Sequence, residues 1–560
     1  MRRGSIAVVL TVVLLTAMSG GAGATPSNSR VTRDADGTTS YHRYDGSSDA
    51  VTEDCSHGRR AQNEPAVAVD PQNTAVVVAG ANDYCTAINT GDVWAGYYRS
   101  ADGGSNWDDS LVPGYPGDTS PAGLASPAHG TCTAAGDPTQ FFDNAGRLFY
   151  GFICFNRAQP VNGGVFVSRY LGDGSDYDRT VLVKRGTPSG NFAGLFQDKI
   201  NLTVDQTGGS LSGNVYVAWS QYNGFAGNNA IFFSRSTNHG VSFSAPYRVN
   251  PVAKGTGSYT DLAVGPDGTV YLTFLTYATP SRPTTTVWLL RSTNGGASFQ
   301  APVRVANIAL FDSSQFSGNG FSDCGDGPFA CPTDLTFSRF TSNSAVAADA
   351  VGVHVVWSAR NGAGQAKIFV RNSPDGVHWS APPAQIDAVA TGHQWFPDIA
   401  SGDGTINVVF YDSRQDPSYS PDLPPGDTAG GANSGDVVAA MVAQSTTGGT
   451  SWAEQEVSSA RSNFGWETHG SMRVGFWGDY NYVSAVPGAV YVTWTDSRDF
   501  VAGPDPRETG ADEDADGFDG FQTCEWVPND INAVSYSSPT PADPCLSQGG
   551  LDQNIYGAAL

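Results

Sequence analysis

Seven segments of this 560-residue chain open on an acidic or amide side chain: Glu64, Asp137, Asp198, Asp261, Asn343, Asp398 and Asp479. Side chains of this kind cap turns, bind hard cations such as calcium, which takes oxygen ligands, or exchange protons with a substrate. A carboxylate pair, one protonating a leaving oxygen while the other activates water or attacks directly, is what cleavage of a glycosidic bond requires. Asp479 and Asp398 are the candidates for that pair. Trp477, Tyr480, Trp395 and Phe396 flank them, and aromatic faces stack on sugar rings, although the same rings serve equally well as core. Glu64 and Tyr480 add a further carboxylate and a phenol to the candidate catalytic set.

A second pattern places arginine shortly after Trp or Tyr, in Tyr411-Asp412-Ser413-Arg414, Trp494-Thr495-Asp496-Ser497-Arg498 and the related Trp357-Ser358-Ala359-Arg360. Three guanidinium groups on one face would clamp a carboxylate or sulfate through paired N–H donors. The alternative is that Asp412 with Arg414, and Asp496 with Arg498, brace their own loops. A third pattern alternates aspartates and then places glycine: Asp512, Asp514, Asp516, Gly517 and Asp519. These carboxylates are candidate ligands for a structural calcium ion. The twelfth position from Asp512 is Thr523 rather than a bidentate Glu, so a plain solvated acidic loop is the other reading.

The elements that must position these groups repeat along the chain. NEPAVAVDPQNTAVVVAGAND from Asn63, TDLAVGPDGTVYLTFLTY from Thr260 and PDIASGDGTINVVFYDSR from Pro397 each read as strand, Asp/Gly turn, strand, and four further copies start at Gly136, Gln197, Ser342 and Gly478. A polar phrase follows six of the seven. RSTNHGVSFSAP from Arg235 is nearly repeated by RSTNGGASFQAP from Arg291; SADGGSNW from Ser100, STTGGTSW from Ser445, a shorter SPDGVHW from Ser373 and a degraded GDGSDY after Gly172 are its relatives. Asp, Asn and Gly supply a hairpin turn, and the aromatic anchors it on a neighbouring strand.

This phrase resembles the Asp-box, or BNR, repeat S-x-D-x-G-x-x-W of sialidases and related β-propellers. The resemblance implies an all-β propeller of four-stranded blades with the box on the face away from the ligand, leaving the inner-strand starts and second-strand ends on the ligand face. Seven repeats predict seven blades, with six, usual for sialidases, as the alternative. The seventh repeat is followed by QNIYGAAL at 553–560 with no further strand, and TTSYHRYD, Thr38 to Asp45, is the candidate that closes the ring. Sialidases hold their substrate carboxylate with three arginines and use a Tyr nucleophile assisted by Glu, with Asp as acid/base. The Phe/Tyr-Arg-Ile-Pro phrase opening their first blade reads Gln62-Asn63-Glu64-Pro65-Ala66 here, with Asn in place of Arg. The implied function is therefore either an exo-α-sialidase-like glycoside hydrolase, with sialic acid release weak or absent, or a non-catalytic propeller, stabilised by calcium, that binds a glycan, polysaccharide or protein.

Composition bounds the rest. With 30 basic and 54 acidic residues the formal charge is −24, which repels nucleic acid and anionic membrane. Residues 1–24 have a basic start, an apolar run from Ile6 to Met18 and Ala22-Gly23-Ala24 before Thr25, the layout of a secretory signal peptide. The mature chain is thus expected to be extracellular, without membrane insertion, and monomeric. Eight cysteines suit disulfides in that setting, local pairing joining Cys55 with Cys85, Cys132 with Cys154, Cys324 with Cys331 and Cys524 with Cys545; free buried thiols are the other possibility. The expected organisation is an N-terminal segment over 25–62 carrying the closing strand and a propeller over 63–560. Insertions at 415–435 and 500–550 lie on the ligand face, where long loops tend to be functional.

Overall fold

The computed structural model describes residues 25–33, 41–56, 61–86, 92–156, 163–187, 194–223, 229–251, 257–279, 283–310, 343–380, 382–387, 389–417, 419, 421, 437–463, 477–499, 526–530, 533–536 and 553–560. The predicted signal peptide, the Asp512–Asp519 loop, Cys324, Cys331, Cys524 and Cys545 lie outside these residues.

Seven four-stranded antiparallel sheets succeed one another along the chain and form the blades. Their inner strands are Gln62–Val69, Ala134–Phe142, Leu195–Val204, Gly257–Val264, Ser344–Ala348, Gln394–Gly402 and Tyr482–Val486. In blades 1 to 6 the chain meanders outward through four consecutive strands. The seventh blade is composite: Tyr482–Val486, Ala489–Asp496 and Asn554–Ala559 come from the C-terminal part, and Ser29–Arg30 pairs outside them, with Ser29 opposite Gly557 and Arg30 opposite Tyr556. Closure by an N-terminal strand is as expected, but the segment is not the expected one. Tyr41 instead bridges Asp109 on the outer edge of blade 1, and its hydroxyl donates to Asp83 at 2.7 Å.

Blade faces pack through large side chains, with Trp94, Trp219, Trp357, Trp395, Trp477 and Trp494 all buried. On the outer side each box is a local hydrogen-bonded turn. Ser100 Oγ donates to Asp102 Oδ1 at 2.8 Å, Asp102 Oδ1 accepts from the N–H of Ser105 and Asn106, and Trp107 Nε1 donates to Gly104 O. The residue just before the box reaches the next blade. Arg235 donates to the carbonyls of Asn294 and Gly295, Arg291 to Asp375 O, and Asn372 to Gly449 O. Even the degraded second box is held this way, by Arg99 on Asp173 at 2.8 Å. The two disulfides among the described residues, Cys55–Cys85 and Cys132–Cys154, match the local pairing.

Candidate functional site

At the start of the inner strands the backbone leaves regular β-geometry. The register with the second strand slips at Asn63/Ala66, Gly136/Thr139, Asp198/Asn201, Ser258/Thr260 and Trp395/Asp398. At each slip a non-glycine residue has positive φ: Glu64 at 55°, Asp137 at 52°, Lys199 at 50°, Tyr259 at 52° and Phe396 at 52°. Such conformations cost on the order of 1–3 kcal/mol each and cluster at functional sites. A bulge also re-aims side chains, and here the slips surround the axis at one face. Ahead of the inner strand of blade 7, Gly478 also has positive φ, 89°, and a Cβ there would sit 2.1 Å from Glu64 Cγ.

The axis at this face holds a cavity of about 50 Å³ lined from blades 2 to 7, with Lys199, Asn201, Tyr259, Asp261, Asn343, Asp398, Tyr480, Asn481 and Tyr482 among its walls. Below it, separated by Asn201, Asp261, Asp398 and Tyr482, which line both, a channel of about 240 Å³ continues between the inner strands. Tyr482 reaches across the axis: its hydroxyl lies 2.9 Å from Thr139 Oγ1 and accepts from Asn201 Nδ2 at 2.9 Å.

The acidic starts bind one blade to the next. Asp137 Oδ2 accepts from Lys199 N at 2.9 Å, Asp261 Oδ2 from Val346 N at 2.6 Å and Asp398 Oδ2 from Val483 N at 2.8 Å. Burial pushes the carboxyls of Asp261 and Asp398 above the ordinary carboxylate range, and the charge of Asp261 raises Asp398 further. Asp479 is fully buried and ion-paired with Lys199 Nζ; the attraction of Asp479, Asp137 and Asp198 outweighs burial and holds the ammonium well above its usual range. Glu64 Oε2 accepts from Asn82 Nδ2 at 2.7 Å and lies 3.4 Å from the hydroxyl of Tyr480. Burial, with Asp137 and Glu64 adding to it, pushes the Tyr480 phenol well up, so it stays a neutral donor. Of the candidate catalytic residues, Asp398 and Tyr480 line the cavity; Asp479 stands behind Lys199 and Glu64 behind Tyr480.

The arginines do not converge on that cavity. Arg414 pairs with Asp412 and Glu454 at 2.6 and 2.5 Å. Arg498 pairs with Asp496 at 2.6 Å, donates to Asn28 and Ser459, and stacks 4.0 Å over the Tyr556 ring. Arg360 ends its strand against the Asn361–Gln365 turn, its guanidinium near the Gly364 backbone. Asp412 also accepts from Gln394 at 2.7 Å, and Asp496 from Trp494 Nε1 at 2.9 Å. Trp395 and Trp477 lie in the packed interior, with Tyr411 5.5 and 5.0 Å from their rings, so neither face is open to a sugar. Sequence reasoning passed over Lys199, Tyr259, Asn201, Asn481 and Tyr482. The one available signal was a lysine beside the acidic start in Gln197-Asp198-Lys199.

Compared with protein-family models and with curated proteins, the chain matches none. Solved structures with similarity include a Hadza microbial sialidase, at 12% identity over 76% of this chain and 72% of that one, TM-score 0.40. An α-L-arabinofuranosidase from Fusarium graminearum gives 12% identity, 62% and 88% coverage and a TM-score of 0.40. An ulvan lyase, a polysaccharide lyase, gives 11% identity, 78% and 92% coverage and a TM-score of 0.40.

Proposed function

We propose that this chain is a secreted propeller that recognises glycans at the face where the inner strands start, anchoring a polar substituent of the sugar in the axial cavity. The observation that carries the reading is the convergence of Lys199, Tyr259, Asn343, Asp398, Tyr480 and Asn481 on one cavity, at the place where strained bulges gather. A few convergent polar groups fix a ligand's orientation. A cavity of about 50 Å³ is far below the roughly 300–1,000 Å³ of a site that engulfs a ligand, so it takes one substituent while the remaining sugar rests on the rim. Secretion is supported by the layout of residues 1–24 and by the disulfides; among the described residues no helix is long and apolar enough to cross a membrane.

Sialic acid release is not part of this proposal. The guanidinium groups of Arg414 and Arg498 are committed to their own loops, Tyr480 is held neutral, and Asp479 is sequestered by Lys199. Binding of the purified protein to an immobilised panel of neutral and anionic polysaccharides tests the reading. A defined glycan class should be retained, and Tyr480→Phe and Asn343→Ala should each weaken retention several-fold. Release of a fluorogenic sialoside, abolished by Asp398→Asn or Asp479→Asn, would replace binding by hydrolysis; retention of no glycan at all would remove the glycan reading.

A further inference from the structure

We infer that the axial cavity holds a site for one hard cation of the calcium class, bound by the carboxylates of Asp261 and Asp398 and the side-chain oxygens of Asn343 and Asn481. These residues come from blades 4, 6, 5 and 7 and line the same cavity. Asn481 is 1% exposed, yet its Oδ1, like the buried Oδ1 of Asn343, has no hydrogen-bond partner. A buried oxygen left without a donor carries its desolvation cost unrepaid, and a cation satisfies several such oxygens at once. Asp261 and Asp398 are already oriented, because each commits Oδ2 to a strand N–H of the next blade.

The surrounding charge favours a cation. Asp137, Asp198, Asp479 and Glu64 stand round the cavity with Asp261 and Asp398, and the cationic group among them, the Lys199 ammonium, is engaged by Asp479. The donors are all oxygen, which suits calcium and excludes the His and Cys preference of zinc. Among the described residues no three His, Cys, Asp or Glu side chains gather to hold a metal; here two carboxylates are completed by two amides. Space of about 50 Å³ admits one ion with a few waters, which fill the six to eight positions calcium takes.

The ion would occupy the cavity that the glycan reading gives to the sugar substituent, so the inference rests on that reading and refines it: the substituent would then meet the ion and its waters at the rim. Because the test contains no glycan, its failure is distinguishable from failure of the glycan reading. Protein stripped with chelator is titrated with Ca²⁺ by calorimetry and with Tb³⁺ by tyrosine-sensitised luminescence, which Tyr259, Tyr480 and Tyr482 in the cavity wall should support. Wild type should bind with sensitised emission. Asp261→Asn/Asp398→Asn, which keeps acceptors for Val346 and Val483, should lose the site, and Asn481→Ala should weaken it at least tenfold. Should the double variant fail to fold, Asn481→Ala carries the test alone. Substitution of Asp512, Asp514 and Asp516 by Asn separates the acidic loop and should leave axial binding in place. An absence of binding in wild type, unchanged binding in Asn481→Ala, or a response that disappears only with the 512–516 substitutions would overturn the inference.

Discussion

Lys199 and Asp479 lie 280 residues apart in sequence and meet on the axis with side chains 6% and 0% exposed. Two charges in such a place hold each other, and removal of one deprives the other of its ion-pair partner in a buried site, a loss of roughly 3–5 kcal/mol. Lys199→Met should therefore lower the unfolding free energy by about that amount, read from the shift in denaturant midpoint multiplied by the m-value. Asp479→Asn alone should also be costly, while the double variant should cost clearly less than the sum of the two. Denaturation of the three variants reads this directly. Pairing across 280 residues leaves no local trace, so the acidic starts were visible in the sequence and their counter-ion was not. The arginines were legible in the opposite way, through the local pairing that the sequence offered beside the clamp. Asp412 with Arg414 and Asp496 with Arg498 are two residues apart, and a partner that near is the first one a guanidinium meets.

The repeated polar phrase belongs to the scale of elements. It was legible because a hairpin turn uses local chemistry, and Ser, Asp, Gly and the aromatic sit at fixed offsets. What it does beyond its own turn was not legible: the preceding residue holds the next blade's box. Arg235→Ala removes donors to the carbonyls of Asn294 and Gly295 and should cost about 1–3 kcal/mol, as charge-assisted bonds do; a thermal melt against wild type measures it. The box also sets a response to acid. In the fold Asp102 is lowered to about 2, chiefly by the Asn106 side chain and backbone N–H, from the unfolded value near 3.9. Its contribution is thus complete above pH 4 and is lost as pH falls towards 2. The side chain is exposed, so solvent screening keeps the effect small. Asp102→Asn should flatten the acid limb of the stability profile between pH 4 and 2 relative to wild type.

At the scale of the whole molecule, a ring of blades is as stable as its joint. The joint here rests on a two-residue strand, Ser29–Arg30, which is too short for any periodicity to reveal, and the neighbouring Asn28 reinforces it. Asn28 Nδ2 donates to Val457 O and its Oδ1 accepts from Ser459 N, both at 2.6 Å, so the same segment grips blade 6 as it completes blade 7. A second tether, Cys55–Cys85, encloses a separation of 30 residues and fastens the following segment to blade 1, worth roughly 3–4 kcal/mol by loop-closure entropy. The two tethers make different predictions. Cys55→Ala/Cys85→Ala should lower the melting temperature while the protein stays monodisperse, because blade 7 keeps its outer strand. Deletion of residues 25–33 should lower it too, but it also uncovers the edge of Asn554–Ala559, and an unpaired edge is a template for association. Size-exclusion chromatography distinguishes them: the deletion should form dimers or larger species in a concentration-dependent way, and monomeric behaviour would show that the joint is held by the C-terminal strand alone.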